Sequence, residues 1–259
     1  MLGAFDVWQR DLKLIRKFWV FFAVLLLDIV LLLLAFGPAM TRLLPRFAYP
    51  AGSTTFQIDY FTFFVPGLVV LVVMQASLYM GEMSYIDRDM GVLEILFTAP
   101  MSRWSICLGK LASATTVAAV IAGTLYVVSF ALGFRPYDVG IGSAVVLLII
   151  LTASWGFAGC SIATVMQIRS TSRWLLLLGA ILSPLTAAAA LQYPVQVMPE
   201  WIRPIAGANP LTHAVDMVRA AALEGRWPDI TSLIGLFGFA IVGTLLAVTS
   251  MKHSRLLGR

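Results

Sequence analysis

Six predominantly apolar stretches of about twenty to thirty residues recur along the chain with short polar segments between them. They fall near Phe18–Met40, Tyr60–Met83, Trp104–Gly133, Gly140–Gln167, Trp174–Tyr193 and Ile230–Met251. About twenty residues at 1.5 Å each cross a hydrocarbon core about 30 Å thick, so each stretch predicts a membrane-spanning helix. Ahead of the first lies "FDVWQRDLKLIRKFW", which sets Phe5, Trp8, Leu12, Ile15 and Trp19 at spacings of three and four. Asp6, Arg10, Lys13 and Lys17 fall on other faces. Residues 1–17 therefore predict an amphipathic helix with aromatic anchors and a basic side, suited to lying in the membrane interface.

The segment 194–229 is too patterned for a plain loop. It carries Pro194, Pro199, Pro204 and Pro210, and Asn209 stands where a helix N-cap is wanted, with Pro210 at the first helical position. Leu211, Val215, Val218 and Ala222 mark one apolar side, and Gly225 suits the end of the helix. A short helix is expected, either on the outer surface or dipping into the membrane against protein.

Composition agrees with the pattern. The chain is 60% hydrophobic and 12% charged, with a mean hydropathy of +0.91. Its 259 residues leave no room for a separate soluble domain beside six spans. The expectation is an all-α polytopic membrane protein with a single transmembrane domain over residues 1–259. The net charge of +5 is spread over loop ends, which argues topology and not nucleic acid. Assigned to alternating sides, the 18 Lys and Arg divide twelve to six. All four lysines (Lys13, Lys17, Lys110 and Lys252) fall on the side of the N-terminus, which places both termini in the cytoplasm. Phe18 to Gly37 is too long an apolar run for a cleaved signal peptide. Cys107 and Cys160 lie within predicted spans, without disulfide or metal-ligand spacing.

Few residues suggest chemistry. Asp28 lies mid-span in "LLLDIVLL", where a charge costs about 2.5–3.5 kcal/mol on insertion scales, so it is expected to face protein or water or to be protonated. Gln75 is the one further polar candidate at similar depth, which argues against a proton relay. Pro66-Gly67 and Ser183-Pro184 predict packing irregularities. His213, Asp216 and Arg219, each three apart, read as a solvated face, since no nucleophile accompanies them. Gly109-Lys110 is followed by Leu111 and lacks the upstream glycine of a phosphate-binding loop. Catalytic residues, a metal site and a bound cofactor are not expected in this chain.

The segment 84–103 is the distinctive one. In "EMSYIDRDMGVLEILFTAPMSR", Asp87, Arg88 and Asp89 precede Gly91. Val92, Ile95, Leu96 and Ala99 then share one helical stripe, Glu94 and Thr98 are polar, and Pro100 stops the run. A helix of two to three turns is too short to span and too apolar on one face to stand naked in water. Its stripe needs the interface or a partner's groove, with the charges as an orienting rim.

"GVLEILFTAPMSR" after acidic residues, together with "ANPLTHAVDMVRAA" before the last span, resembles type-2 ABC exporter permeases, membrane subunits of bacterial drug, glycolipid and polysaccharide exporters. The resemblance covers most of the chain. It implies that the short helix is a coupling helix seated in a separate ATPase subunit, contacted through Asp87, Arg88, Asp89, Gly91, Glu94, Leu96, Pro100 and Arg103. It implies two permease copies, alike or different, with two ATPases that carry the ATP and Mg, in the bacterial inner membrane. The segment 194–229 would form short re-entrant helices at the outer leaflet. The substrate, an amphipathic or lipid-linked molecule, would pass along the permease dimer interface; Asp28, Phe61, Phe64, Gln75 and Tyr79 are candidates by position. The aromatics at 56–64 read as an interfacial belt in preference to an aromatic-lined channel. A secondary transporter would show an internal repeat, and a membrane-embedded lipid-modifying enzyme a cluster of acids at one depth. The chain shows neither.

Overall fold

The computed structural model describes residues 3–43, 46–51, 54–168 and 170–253. Its elements are α1 (Ala4–Ile15), α2 (Trp19–Leu43), β1 (Phe47–Ala51), β2 (Thr54–Ile58), α3 (Tyr60–Asp89), α4 (Val92–Thr98) and α5 (Arg103–Ala131). There follow α6 (Ile141–Val165), α7 (Thr171–Ala187), a 3-10 turn at Val195–Val197, α8 (Arg203–Ala208), α9 (Pro210–Ala222) and α10 (Ile230–His253). The helical architecture is as expected, with one addition: a short antiparallel hairpin of β1 and β2, with Phe47 opposite Ile58, between α2 and α3. Its Tyr49 is buried, rests against Phe63 and donates to Glu224 Oε1 at 3.3 Å. Burial raises the Tyr49 pKa, so the hydroxyl stays a neutral donor and fastens the hairpin beside the end of α9.

Among the described residues, five helices are long and apolar enough to cross a membrane: α2, α3, α5, α6 and α10. The centre is α3, 30 residues long and largely buried, with Asp59 accepting from the Thr62 N–H at 2.9 Å as its N-cap. It packs on α6 through small residues. Ser77 Oγ donates to Ser154 Oγ at 2.8 Å, Ser161 Oγ donates to the Leu78 carbonyl at 2.7 Å, and a Cβ on Gly81 would lie 1.8 Å from Ser161 Oγ. Such close crossings let backbones meet where lipid gives no hydrophobic drive.

α10 crosses α6 through glycines in the same way: a Cβ on Gly159 would lie 2.5 Å from the backbone of Gly243. Backbone cannot yield as a side-chain tip can. Gly159→Ile is therefore expected to cost about 1–3 kcal/mol or more through overpacking, read as a lowered melting temperature of the purified chain in detergent. Gly238→Ala, in open space, is the matched control.

The fifth predicted span, Trp174–Tyr193, is shorter than expected. α7 has 17 residues, about 25 Å, against a hydrocarbon core of about 30 Å. It ends early because side chains from elsewhere supply the donors that its last carbonyls and the following turn require. Asn209 Nδ2 donates to the Leu185 carbonyl at 2.7 Å, and Arg219 Nη1 and Nη2 donate to those of Ala190 and Leu191 at 2.6 and 2.9 Å. Tyr60 Oη donates to the Gln192 carbonyl at 2.8 Å. Gly67 makes room for this turn, since a Cβ there would stand 2.5 Å from Leu191 O. α3 runs unbroken through Pro66-Gly67, which serves as a seat for the chain beyond α7.

α9 begins at Pro210 with Asn209 accepting from the Leu211 N–H at 2.9 Å, as its sequence predicts. Most of it is buried against α3, α6 and α10, so it lies within protein and not on the outer surface. Arg219, expected on a solvated face, is fully buried, with its guanidinium 3.7 Å from the centre of the Phe63 ring.

Candidate coupling site at the α1 end of the bundle

One end of the bundle gathers α1, the junction of α3 with α4, the start of α5 and the end of α10. Lys252 Nζ stands 5.8 Å from the Trp104 ring, so the end of α10 reaches the start of α5 there. α1 is more than an interfacial helix. It lies along α5, where a Cβ on Gly109 would stand 2.6 Å from Ala4 O and Val7 Cβ, and Trp8 Nε1 donates to Thr116 Oγ1 at 3.0 Å.

Four charges bind this end together. The Asp87 carboxylate, near the end of α3, accepts from Lys110 Nζ of α5 and from Arg10 Nη2 of α1. Arg10 Nη2 also meets Asp11 Oδ1 at 2.5 Å, and Lys110 lies 3.7 Å from Asp11 Oδ2. Ser113 Oγ donates to Asp11 Oδ2 at 3.3 Å. Burial works to lower the Arg10 pKa, but the two carboxylates together raise it. Lys110, Asp11 and Asp87 are almost fully buried, and two cations against two anions leave the cluster neutral. Desolvated charges of this kind persist only as a complete set.

α4 hangs from this cluster. Met90 ends α3, and Gly91 turns the chain with φ +70°, a left-handed conformation that costs glycine least. Leu93 is fully buried and anchors the helix, while Leu96 and Phe97 are half-buried against the core. The Arg103 guanidinium stacks 3.3 Å from the Phe97 ring centre. Met90 and Ile95 are about 70% exposed (73% and 69%), and Asp89, Glu94 and Pro100 are exposed beside them.

Of the predicted contact residues, Asp89, Gly91, Glu94, Leu96, Pro100 and Arg103 therefore cluster on or beside α4. Asp87 and Arg88 are corrections. Asp87 is consumed by the buried cluster, and Arg88 turns inward to donate to the carbonyls of Val165 (2.9 Å), Met166 (3.3 Å) and Ile168. It thereby caps the end of α6, whose last carbonyls lack helical partners. The sequence reading also missed Arg10, Asp11 and Lys110; the one available signal was a lysine seven residues into an otherwise apolar span.

The predicted path residues divide. Asp28 is on an exposed side of α2, and Gln75 and Tyr79 are half-buried on α3, with Phe21 packed edge-on to Tyr79 at 4.9 Å. Phe61 is half-buried against Gly37, where a Cβ would stand 2.8 Å from its ring. Phe64 is 1% exposed and packs between Phe36 and Tyr60 in the core.

The geometry defines a multi-pass helical membrane protein that carries a short anchored helix, outside the membrane-length segments, between two of its long spans. Residues 5–223 match the ABC-2 type transporter family, and the chain belongs to it as a permease component. The daunorubicin resistance ABC transporter permease protein DrrB1 of Streptomyces coeruleorubidus is 27% identical over 233 residues, 88% of this chain and 75% of its own length. Nodulation protein J of Neorhizobium galegae is 24% identical over 203 residues, 77% and 76% of the two chains. The protein ycf38 of Porphyra purpurea is 24% identical over 201 residues, 77% and 69%.

Proposed function

We propose that this chain is the membrane permease subunit of an ATP-driven exporter, working as two permease copies with two ATPase subunits that carry the ATP and Mg. The observation that carries the reading is α4. It is rooted by Leu93, yet it offers Met90, Glu94 and Ile95 outward, and an exposed apolar pair beside charge suits a protein groove. The lysine bias sets the α1 end in the cytoplasm, where an ATPase would sit, and α7 makes the sixth crossing. We place the complex in the bacterial inner membrane.

The broad exposed sides of α2 and α7 suit contact with the second permease copy. Asp28, Gln75 and Tyr79 would then border the path for an amphipathic or lipid-linked substrate, with Phe61 at its rim. That DrrB1 is named for drug resistance agrees with such a cargo.

The test is reconstitution. Inverted vesicles holding this chain with a co-purified ATPase are expected to accumulate a fluorescent amphiphile or headgroup-labelled lipid only when ATP and Mg are supplied. Transport by the chain alone, or driven by a proton gradient without the ATPase, would refute the reading.

A further inference from the structure

A cavity of about 390 Å³ lies between α1 and the end of α3, beside the buried charge cluster and the first residue of α4. Its size falls within the range of small-molecule sites, and like them it is mostly apolar with a few polar groups at one side. Leu14 and Phe18 face it from the α1 side, and Met80, Met83 and Ile86 from α3. Methionines at two of these positions make a wall that adapts to a flexible chain. The charges are equally specific. Asp11 and Asp87 line the cavity, but both are neutralised by Arg10 and Lys110. Lys17, also lining it, makes no ion pair among the described residues, so the surplus charge at the cavity is one exposed cation.

The geometry points to an acyl chain of an anionic phospholipid as the occupant, drawn from the leaflet at the α1 end, with its phosphate beside Lys17. An apolar hole under an amphipathic helix opens where acyl chains end and headgroups begin. A single unpaired cation there selects anionic over zwitterionic headgroups. A bound chain would fill the space between α1 and α3 directly behind Met90 and Val92, the residues that lead into α4. The site stands whether or not the export reading holds, because it requires only a membrane and this fold.

The experiment uses the full chain in nanodiscs containing phosphatidylglycerol or phosphatidylcholine with a photoreactive diazirine on the acyl chain, and maps adducts by mass spectrometry. Adducts are expected on peptides 14–18 and 80–92, about fivefold more from phosphatidylglycerol than from phosphatidylcholine. Lys17→Glu is expected to erase that preference. Met83→Trp, which fills the cavity without altering charge, is expected to remove these adducts while those on the exposed side of α10, at Ile234 and Ile241, persist. Leu14→Trp fills it from the opposite wall and serves if Met83→Trp does not fold. Undiminished adducts in the filled variants, or equal labelling by both lipids, would overturn the proposal. So would protection of these peptides by an ATPase subunit in lipid-free detergent, which would assign the cavity to a protein.

Discussion

Asp87→Ala is expected to be the most destabilising single change at the α1 end, at about 3–5 kcal/mol. Asp87 Oδ2 takes both Lys110 Nζ and Arg10 Nη2. Lys110 is 3% exposed, and without Asp87 its nearest anion is Asp11 at 3.7 Å. The substitution therefore strands a desolvated ammonium, and stranding one partner costs far more than deleting the pair. The double variant Asp87→Ala/Lys110→Met is accordingly expected to recover most of the loss, because Arg10 and Asp11 remain to neutralise each other. Thermal unfolding in detergent reads both. On the usual scaling for chains of this size the single variant should fall by roughly 10 °C and the double by much less. Equal losses in single and double variants would mean that shape, and not charge, is what Asp87 supplies. The same junction carries α4, so the single variant should also make the Gly91–Thr98 segment exchange its amide hydrogens faster.

The legible parts were those written in local code. Twenty-residue apolar runs marked five long helices, because hydrocarbon length is a property of the segment alone. The caps of α9 were legible for the same reason: Asn209 and Pro210 act within one turn. The spacing of Phe5, Trp8, Leu12 and Ile15 found α1, but the sequence could not say that α1 would pack on α5, since that depends on Gly109 being bare. Direction was the harder quantity. Asp87, Arg88 and Asp89 are adjacent, yet a helix turns 100° per residue. The first thus points into a charge cluster, the second onto the end of α6 and the third outward. Only knowledge of what packs on each face separates them. The end of α7 was illegible because its terminators, Asn209 and Arg219, lie more than twenty residues downstream. Arg219 itself looked solvated because arginine on a short amphipathic helix usually is, and nothing local announces an aromatic ring waiting above it.

Ile95→Asp combined with Glu94→Lys is expected to disconnect the chain from its proposed ATPase without disturbing the fold. Both side chains are exposed on α4, and the anchors that hold the helix (Leu93, and Phe97 under Arg103) are untouched. An aspartate where isoleucine would enter the proposed ATPase groove would strand a charge, and reversing Glu94 would invert the complementarity proposed to orient docking. Loss of an interface anchor typically costs about 2 kcal/mol or more, so co-purification affinity should drop at least roughly thirtyfold. Leu96→Asp is the informative contrast. Leu96 is half-buried against the core, so that substitution should lower the melting temperature as well as association, whereas Ile95→Asp should lower association alone. An Ile95→Asp/Glu94→Lys chain that still stimulates ATP hydrolysis and transports at the parental rate would show that α4 is not the coupling element. In that event the buried charge cluster, which joins α1, α3 and α5 immediately behind it, would be the remaining route by which motion at this end could reach the spans.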